Sequence, residues 1–506
     1  MKISRLLSWP RVVILLFWLV MTGWLIRYEA FPQWFDTSFY GYRSVFANGP
    51  LILDSWMRIE FRGTPIGYSH TWVDSQLDSP DETHTVKNTT FLNLNLMGRV
   101  SHINVNADAV LDSNYQLRHF SASLQSEAYV TQVTGDRTGP CRFATRLQTA
   151  AGHQDSSLTL PEDAMIYSPM TEMAICRLEP GQSLRFKAFD PLTLTVSDVT
   201  ASAVRRETIR HRDQDRPTTV IAVSLQGLES LSWVDRDGHV LRQETPFGWT
   251  LVECAPSDAF KTKVRGQAAD ILTALSVPCS QPISQPRNTQ RLTVVLQGLM
   301  NTLSLASPRQ QVMQTSSNAI HLVLQAQAVP TNSAPFPLKA PSDLAPQLAA
   351  TLALQSDHPD LKAKARAIAG DQTNSWDVAR ALSHWVYRNV GKKATISLPS
   401  ALDVLKQREG DCNEHTYLFV ALARAAGLPA DIKVGLVYSE QMGGTPAFYY
   451  HAWPAVYVGE WVELDPTFGQ DTVDATHLAL LSGELQSQMQ LMSVMGRLAV
   501  DIQTQQ

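Results

Sequence analysis

The sequence predicts an α+β protein in three parts: a transmembrane helix at the N-terminus, a large antiparallel β domain, and a mixed domain in which helices precede a β-hairpin. Three observations predict it. Val12 to Ile26 carries no charge. Between Leu51 and about Val252, apolar and polar residues alternate with period two, as half-buried antiparallel strands require. Beyond Leu348 the apolar spacing becomes helical, and strand-forming residues return past Pro429. The expected organisation is an anchor at 6–27, an antiparallel β-rich domain at 51–280, a small β subdomain or linker at 281–346, and the mixed domain at 347–506.

The N-terminal run follows Lys2, Arg5 and Arg11 and precedes Arg27. Its fifteen uncharged residues would span about 22 Å as helix, short of a hydrocarbon core of roughly 30 Å. Leu6, Leu7 and Trp9 extend it, Arg11 can snorkel, and Trp24 suits an interface. A cleaved signal peptide is the rival, but Arg27-Tyr28-Glu29-Ala30-Phe31 lacks a small-x-small cleavage site. The expectation is an uncleaved, single-pass anchor in the inner (cytoplasmic) membrane. Basic residues before the span keep the N-terminus cytoplasmic and place the bulk of the chain in the periplasm.

Residues 31–50 read as a linker punctuated by Pro32, Gly41 and Asn48-Gly49-Pro50. In the β region, Leu92, Leu94 and Leu96 alternate with asparagines, as do Ile103, Val105 and Ala107 with His102, Asn104 and Asn106. A curved or partly closed antiparallel sheet follows, with a scaffold or substrate-presenting role. Residues 281–346 add two strand-like runs, Arg291–Gln297 and Ile320–Gln327.

Composition is that of an ordinary globular chain, 44% hydrophobic and 18% charged, with a formal net charge of -5 and no basic block. This argues against a nucleic-acid partner. Five cysteines are present. Setting Cys412 aside leaves Cys141, Cys176, Cys254 and Cys279, for which outside the cytoplasm Cys141–Cys176 and Cys254–Cys279 are the shortest disulfide loops. Four buried free thiols are the competing reading. No CxxC or HExxH motif occurs, so no metal and no cofactor is expected.

The mixed domain opens with helices. Asp357 caps the first, with Pro359 near its start and Gly370 as its stop. Asn374, with Asp377 three residues on, caps a second, whose apolar stripe is Trp376, Ala379, Leu382, Trp385 and Val386. Ser400 and Asp403 open a short third. A fourth runs from about Cys412 to Ala426: Leu418, Ala421, Leu422 and Ala425 share one face, and Gly427 and Pro429 end it. This puts the Cys412 thiol in a first helical turn, where unpaired N–H groups favour a thiolate. Glu414 and His415 read mainly as polar helix surface.

Two strands follow, one carrying His451-Ala452-Trp453 and the next leading to Asp465-Pro466-Thr467. Loop length decides whether the two side chains meet, because faces alternate with period two. A two-residue turn would turn Asp465 away from His451. A three-residue loop, Tyr457-Val458-Gly459, with Gly in the left-handed position, would set His451 opposite Asp465. The odd loop is the expected one. Past Gln470, Leu478–Leu481 and Leu485–Met495 read as helical and Leu498–Ile502 as a last strand.

Gly410-Asp411-Cys412, His451-Ala452-Trp453 and Asp465-Pro466-Thr467 together resemble the three motifs of the transglutaminase-like superfamily, as does Ala423-Arg424-Ala425-Ala426-Gly427-Leu428-Pro429 after the Cys helix. The resemblance covers roughly Leu348 to Gln470. It implies a papain-like α+β domain in which the Cys helix packs on an antiparallel sheet. It also implies Cys412 as nucleophile, His451 as base and Asp465 as orienter. The expected function is therefore a periplasmic, membrane-anchored thiol enzyme acting through a Cys–His–Asp triad and an acyl-enzyme on a peptide or protein substrate. Peptidase or amidase action is favoured over protein-glutamine transamidation. A catalytically idle peptide-binding module is the reading from another class. The Cys412 backbone N–H is the expected oxyanion donor. Oligomeric state is not legible. Gly443-Gly444, ahead of the His451 strand, reads as part of a mobile substrate-facing flap.

Overall fold

The computed structural model describes residues 9–25, 41–46, 53–76, 83–96, 99–166, 175, 178–225, 227–246, 248–261, 270–299, 305–316, 318–398, 400–440, 442, 445–484, 487, 491 and 494–506. Gly443 and Gly444, Cys176, and most of the expected helix Leu485–Met495 lie outside these residues.

The N-terminal expectation needs correction. Trp9–Leu25 is a helix of 17 residues, about 26 Å long at 1.5 Å per residue. Among the described residues no helix is long and apolar enough to cross a membrane. The transmembrane helix, the membrane as a partner and the single-pass inner-membrane location therefore do not stand. The uncharged run already fell short of a bilayer by length, and the flanking Leu6 and Leu7 that extended it lie outside the described residues. The supposed linker is also corrected in part. Tyr42–Val45 is a helical turn, and Tyr42 and Phe46 are buried in the core of the large sheet. Aromatic residues there fill a core rather than decorate a spacer.

The alternating region forms one 15-stranded sheet. Its first strand, Leu53–Phe61, pairs antiparallel with its last, Trp249–Glu253, in the middle of the sheet. From that seam two meanders run outward. Phe120 and Phe189 belong to opposite halves of the strand order, yet their rings meet edge-on at 4.9 Å. The sheet thus curls over its own core. Leu92, Leu94, Leu96 and Ile103 are buried together, as their alternation predicts.

A four-stranded sheet follows: Gln310–Thr315, Ala319–Gln325, Arg291–Gln297 and, from the far end of the chain, Ala499–Gln505. The last mixed unit holds helices Pro359–Ala369, Ser375–Asn389, Ala401–Gln407 and Cys412–Ala425. These pack against a sheet ordered Trp461–Glu463, Ala447–Tyr457, Ala430–Ser439, His477–Ser482. The architecture is α+β, a large antiparallel sheet followed by a helical region with its own sheet.

Local signals mostly acted as expected. Asn374 Oδ1 accepts from the N–H of Trp376 and Asp377 at 2.9 and 3.2 Å, and Ser400 Oγ accepts from Asp403 N at 3.3 Å. The first helix is capped by His358 rather than Asp357, its Nδ1 accepting from Asp360 N. Leu478–Leu481 is not helical but lies in strand His477–Ser482, paired with Ala430–Ser439. An apolar run of four residues does not distinguish helix from buried strand. Cys254 and Cys279 are free, and so is Cys141. The expected disulfide Cys254–Cys279 is absent, as is a bond from Cys141.

The large sheet touches the segment leading into the Cys412 helix. Tyr129 Oη donates to the Glu409 carbonyl at 2.5 Å, Ala151 N donates to Asp403 Oδ1 at 2.7 Å, and Lys406 Nζ donates to the Ala151 carbonyl at 2.6 Å.

Candidate active site

Helix Cys412–Ala425 is buried from Glu414 to Arg424, so its first turn is held rigidly. Asp411 is the N-cap, its Oδ1 accepting from Asn413 N at 2.9 Å, while Glu414 Oε2 accepts from Asp411 N at 2.8 Å. That reciprocal box satisfies donors that a helix start leaves open. Gly410 permits it, since a Cβ there would lie 2.2 Å from the Glu414 side chain. The surface reading of Glu414 and His415 is corrected, because both are buried. His415 Nδ1 meets the Asp411 carbonyl at 2.7 Å and Nε2 the Val390 carbonyl at 3.3 Å. Burial and the neighbouring Asp411 push the Glu414 carboxyl well above the usual carboxylate range, favouring the neutral acid. Ser397 Oγ donates to its other oxygen at 2.5 Å.

The strand of His451 is tied to this turn by Thr416 Oγ1, which donates to the Ala452 carbonyl at 3.0 Å. The loop after that strand is odd, as expected, but shifted by one residue. Tyr457 pairs with Trp461, leaving Val458-Gly459-Glu460 as the loop, with Gly459 at φ 111°. The parity is preserved. The strand ends at Glu463, and Asp465 reaches His451 from the turn beyond it. His451 Nε2 and Asp465 Oδ2 are 2.8 Å apart. Asp465 Oδ1 accepts from the N–H of Thr467 and Phe468 at 2.7 and 3.1 Å.

The thiol stands differently from expectation. His451 Nδ1 is buried without a hydrogen-bond partner, so no hydrogen bond joins His451 to Cys412. A closed Cys–His–Asp relay is not present; the site holds a His451–Asp465 pair and a separate, half-buried thiol. Nor is the thiol poised as a thiolate. Burial, with Asp411 beside it and Glu414 and Asp465 beyond, pushes Cys412 well above the ordinary thiol range, against a backbone contact from Ala452. Burial is the largest cause, followed by the charge on Asp411.

Six residues at the site escaped the sequence reading. His477 Nε2 lies 3.1 Å from the same Asp465 Oδ2, and its Nδ1 lies 3.4 Å from Asp474 Oδ1. Arg287 donates to Asp474 Oδ2 at 2.9 Å and stacks over Phe468 at 4.5 Å. Below, Arg309 pairs with Glu463 at 2.7 Å, and Glu463 also accepts from Trp453 Nε1 at 2.8 Å. Burial would raise Asp465, but His451 and His477 together hold it well below the usual carboxylate range. Burial likewise opposes charge on His477, yet Asp474 and Asp465 outweigh it and raise its pKa. Only the strand reading of Leu478–Leu481 would have pointed to His477.

His451, Asp465 and His477 offer ligand atoms within 4.8 Å of one another. Both Nε2 atoms face one carboxylate oxygen at 2.8 and 3.1 Å, ordinary hydrogen-bond distances. Protons on those nitrogens account for the geometry. Asp235, Asp237 and His239 form a second such group, in which Asp235 Oδ1 accepts from the N–H of Asp237 and His239, closing a turn.

Residues 362–466 match the sequence model of the transglutaminase-like superfamily. This region is a transglutaminase-like domain. Cys412, His451 and Asp465 all lie within the match. Comparison with curated proteins finds no match. Among solved structures, a candidate cysteine protease from Cytophaga hutchinsonii is similar at 17% identity over 43% of this chain and 89% of its own, with a TM-score of 0.30. The periplasmic domain of TgpA from Pseudomonas aeruginosa, bound to ethylmercury, is similar at 17% identity over 38% and 78%, with a TM-score of 0.27. A β-barrel-like protein from Brucella abortus, a domain of unknown function, is similar at 9% identity over 40% and 93%, with a TM-score of 0.29. At these scores the three likenesses have no bearing on the reaction. Superfamily membership is consistent with cysteine-dependent catalysis in general.

Proposed function

We propose that the transglutaminase-like domain is a cysteine-dependent peptidase, amidase or acyltransferase, with Cys412 as nucleophile, His451 as base and Asp465 as the group that orients His451. One observation carries this reading: His451 spends its Nε2 on Asp465 and leaves Nδ1 buried and without a partner. With the proton on Nε2, Nδ1 is a bare acceptor. A buried acceptor left unpaired costs about 1–3 kcal/mol, so a partner is wanted there. The Thr416–Ala452 tether keeps the Cys412 turn beside this strand. A thiol proton passing to Nδ1 as the sulfur attacks a carbonyl would fill that need, and the same nitrogen would then hand the proton to the leaving amine. Because the thiol starts protonated, the base acts during attack rather than beforehand.

The test is mass spectrometry of a peptide library incubated with the protein and a primary amine. Cleaved, deamidated or amine-linked products identify peptidase, amidase or transferase action. All must vanish with Cys412→Ala. Products of undiminished yield from that variant would refute the proposal.

A further inference from the structure

We propose that His477 is a positioning residue for the reaction proposed above: a fixed imidazolium that holds the Asp465 oxygen it shares with His451. The inference rests on that reading for its kinetic consequence, but its structural half stands alone.

The geometry argues it. Both ring nitrogens of His477 face carboxylate oxygens, Nε2 toward Asp465 Oδ2 and Nδ1 toward Asp474 Oδ1. A neutral imidazole has one N–H and one lone pair. Either tautomer would aim that lone pair at a wholly buried carboxylate, at 3.1 or 3.4 Å, too close for a water to bridge the two. Only the doubly protonated ring satisfies both contacts. Its surroundings fix it further. Asp474 is itself held by Thr476 N and Oγ1 at 2.7 and 2.6 Å, by Gln470 Nε2 at 2.8 Å and by Arg287 at 2.9 Å. Arg309 donates to the His477 carbonyl at 3.2 Å and is neutralised by Glu463. Trp453 meets the His477 ring edge-on at 5.2 Å, and Phe468 lies edge-on beyond it. His451, Cys412 and His415 also lie within reach of the Asp465 charge.

The consequence for His451 follows from charge. Its ring centre is 5.9 Å from that of His477. A unit positive charge there opposes a proton on His451, while the shared carboxylate favours one. With His477 charged, the carboxylate is already paired and Nδ1 stays available to the thiol. Removing the His477 charge removes that opposition, so the acid limb of the pH–activity profile should move upward.

Two measurements test it. Nitrogen-edited NMR of the wild-type protein, with His477→Gln to assign the signals, should find both ring nitrogens of His477 protonated at pH 8, where an ordinary imidazole is neutral. A single N–H at pH 8 overturns the proposal, whatever the enzyme does. The pH profile of turnover in His477→Gln should show the acid limb moved to higher pH, with kcat reduced at neutral pH and KM changed less than twofold. An unmoved limb with a proportionate loss at every pH means His477 only supports the fold, and overturns the positioning role. Activity persisting in Cys412→Ala would sink the catalytic reading separately, leaving the NMR result to decide the imidazolium.

Discussion

Arg309→Met should be among the most damaging single changes beneath the site, through the charge it leaves behind. Arg309 and Glu463 are 2.7 Å apart, with side chains only 5% and 9% exposed. Arg309 also donates to the carbonyls of Gln325 and His477, so it ties the sheet containing Arg291–Gln297 to the strand of His477. Glu463, at the end of the strand before Asp465, is held below the usual carboxylate range: burial opposes this, but Arg309 and Trp453 outweigh it. Deleting one partner of a buried ion pair costs about 3–5 kcal/mol. Most of that cost is the stranded carboxylate, so Glu463→Gln in the same chain should recover about half, because a neutral amide oxygen still accepts from Trp453 Nε1. The sign with pH is definite. In wild type the depressed Glu463 pKa contributes stability above the unfolded carboxylate value, and this is lost as pH falls through the folded one. In Arg309→Met the lone buried carboxylate prefers its proton, so the deficit is full at pH 7 and shrinks toward pH 4. Urea unfolding of the single and double variants at both pH values measures this. A loss under about 1 kcal/mol for Arg309→Met, or a double variant no more stable than the single, would refute the argument.

Alkylation of Cys412 by iodoacetamide should be slow at pH 6, and its rate should rise through a midpoint above the free-thiol value of about 8.5; fast labelling at pH 6 would contradict the raised thiol. Gly435→Ala would drive a Cβ to 2.0 Å from the Leu478 carbonyl, forcing His477–Ser482 off its neighbour at a cost of about 1–3 kcal/mol or more; an unchanged melting temperature would exclude that contact. Tyr129→Phe should lose about 0.5–1.5 kcal/mol with its hydrogen bond to the Glu409 carbonyl, read as faster hydrogen exchange in the first turn of the Cys412 helix; unchanged exchange there would mean the large sheet does not brace the site.

What was legible in the sequence was local. Caps at Asn374 and Ser400 and the stop at Gly427 act on the next few backbone groups, so the residues alone suffice to place them. The parity of the hairpin was legible because side chains alternate, although Val458-Gly459-Glu460 rather than Tyr457-Val458-Gly459 makes the turn. What escaped depends on distant chain segments. His477 reaches Asp465 only because its strand pairs on the far side of Ala430–Ser439. Arg309 and Arg287 come from more than a hundred residues upstream. The thiol was misjudged for a related reason: a helix start is visible locally, whereas burial and the charges of Asp411 and Asp465 around the thiol are not. The N-terminal helix was misjudged by letting flanking leucines lengthen a span that was short by its own count.

The central claim is that Cys412 and His451 act as one unit although no hydrogen bond joins them in the resting structure. A double-mutant kinetic cycle tests it directly. With the best substrate from the library, kcat/KM is measured for wild type, Cys412→Ala, His451→Gln and the double variant. Groups that act together are not additive. The account predicts that each single variant loses at least about a thousandfold, and that the double variant is no slower than Cys412→Ala alone. Losses that multiply in the double variant would mean the two residues serve separate ends, and the assignment of His451 as base to the Cys412 thiol would be wrong.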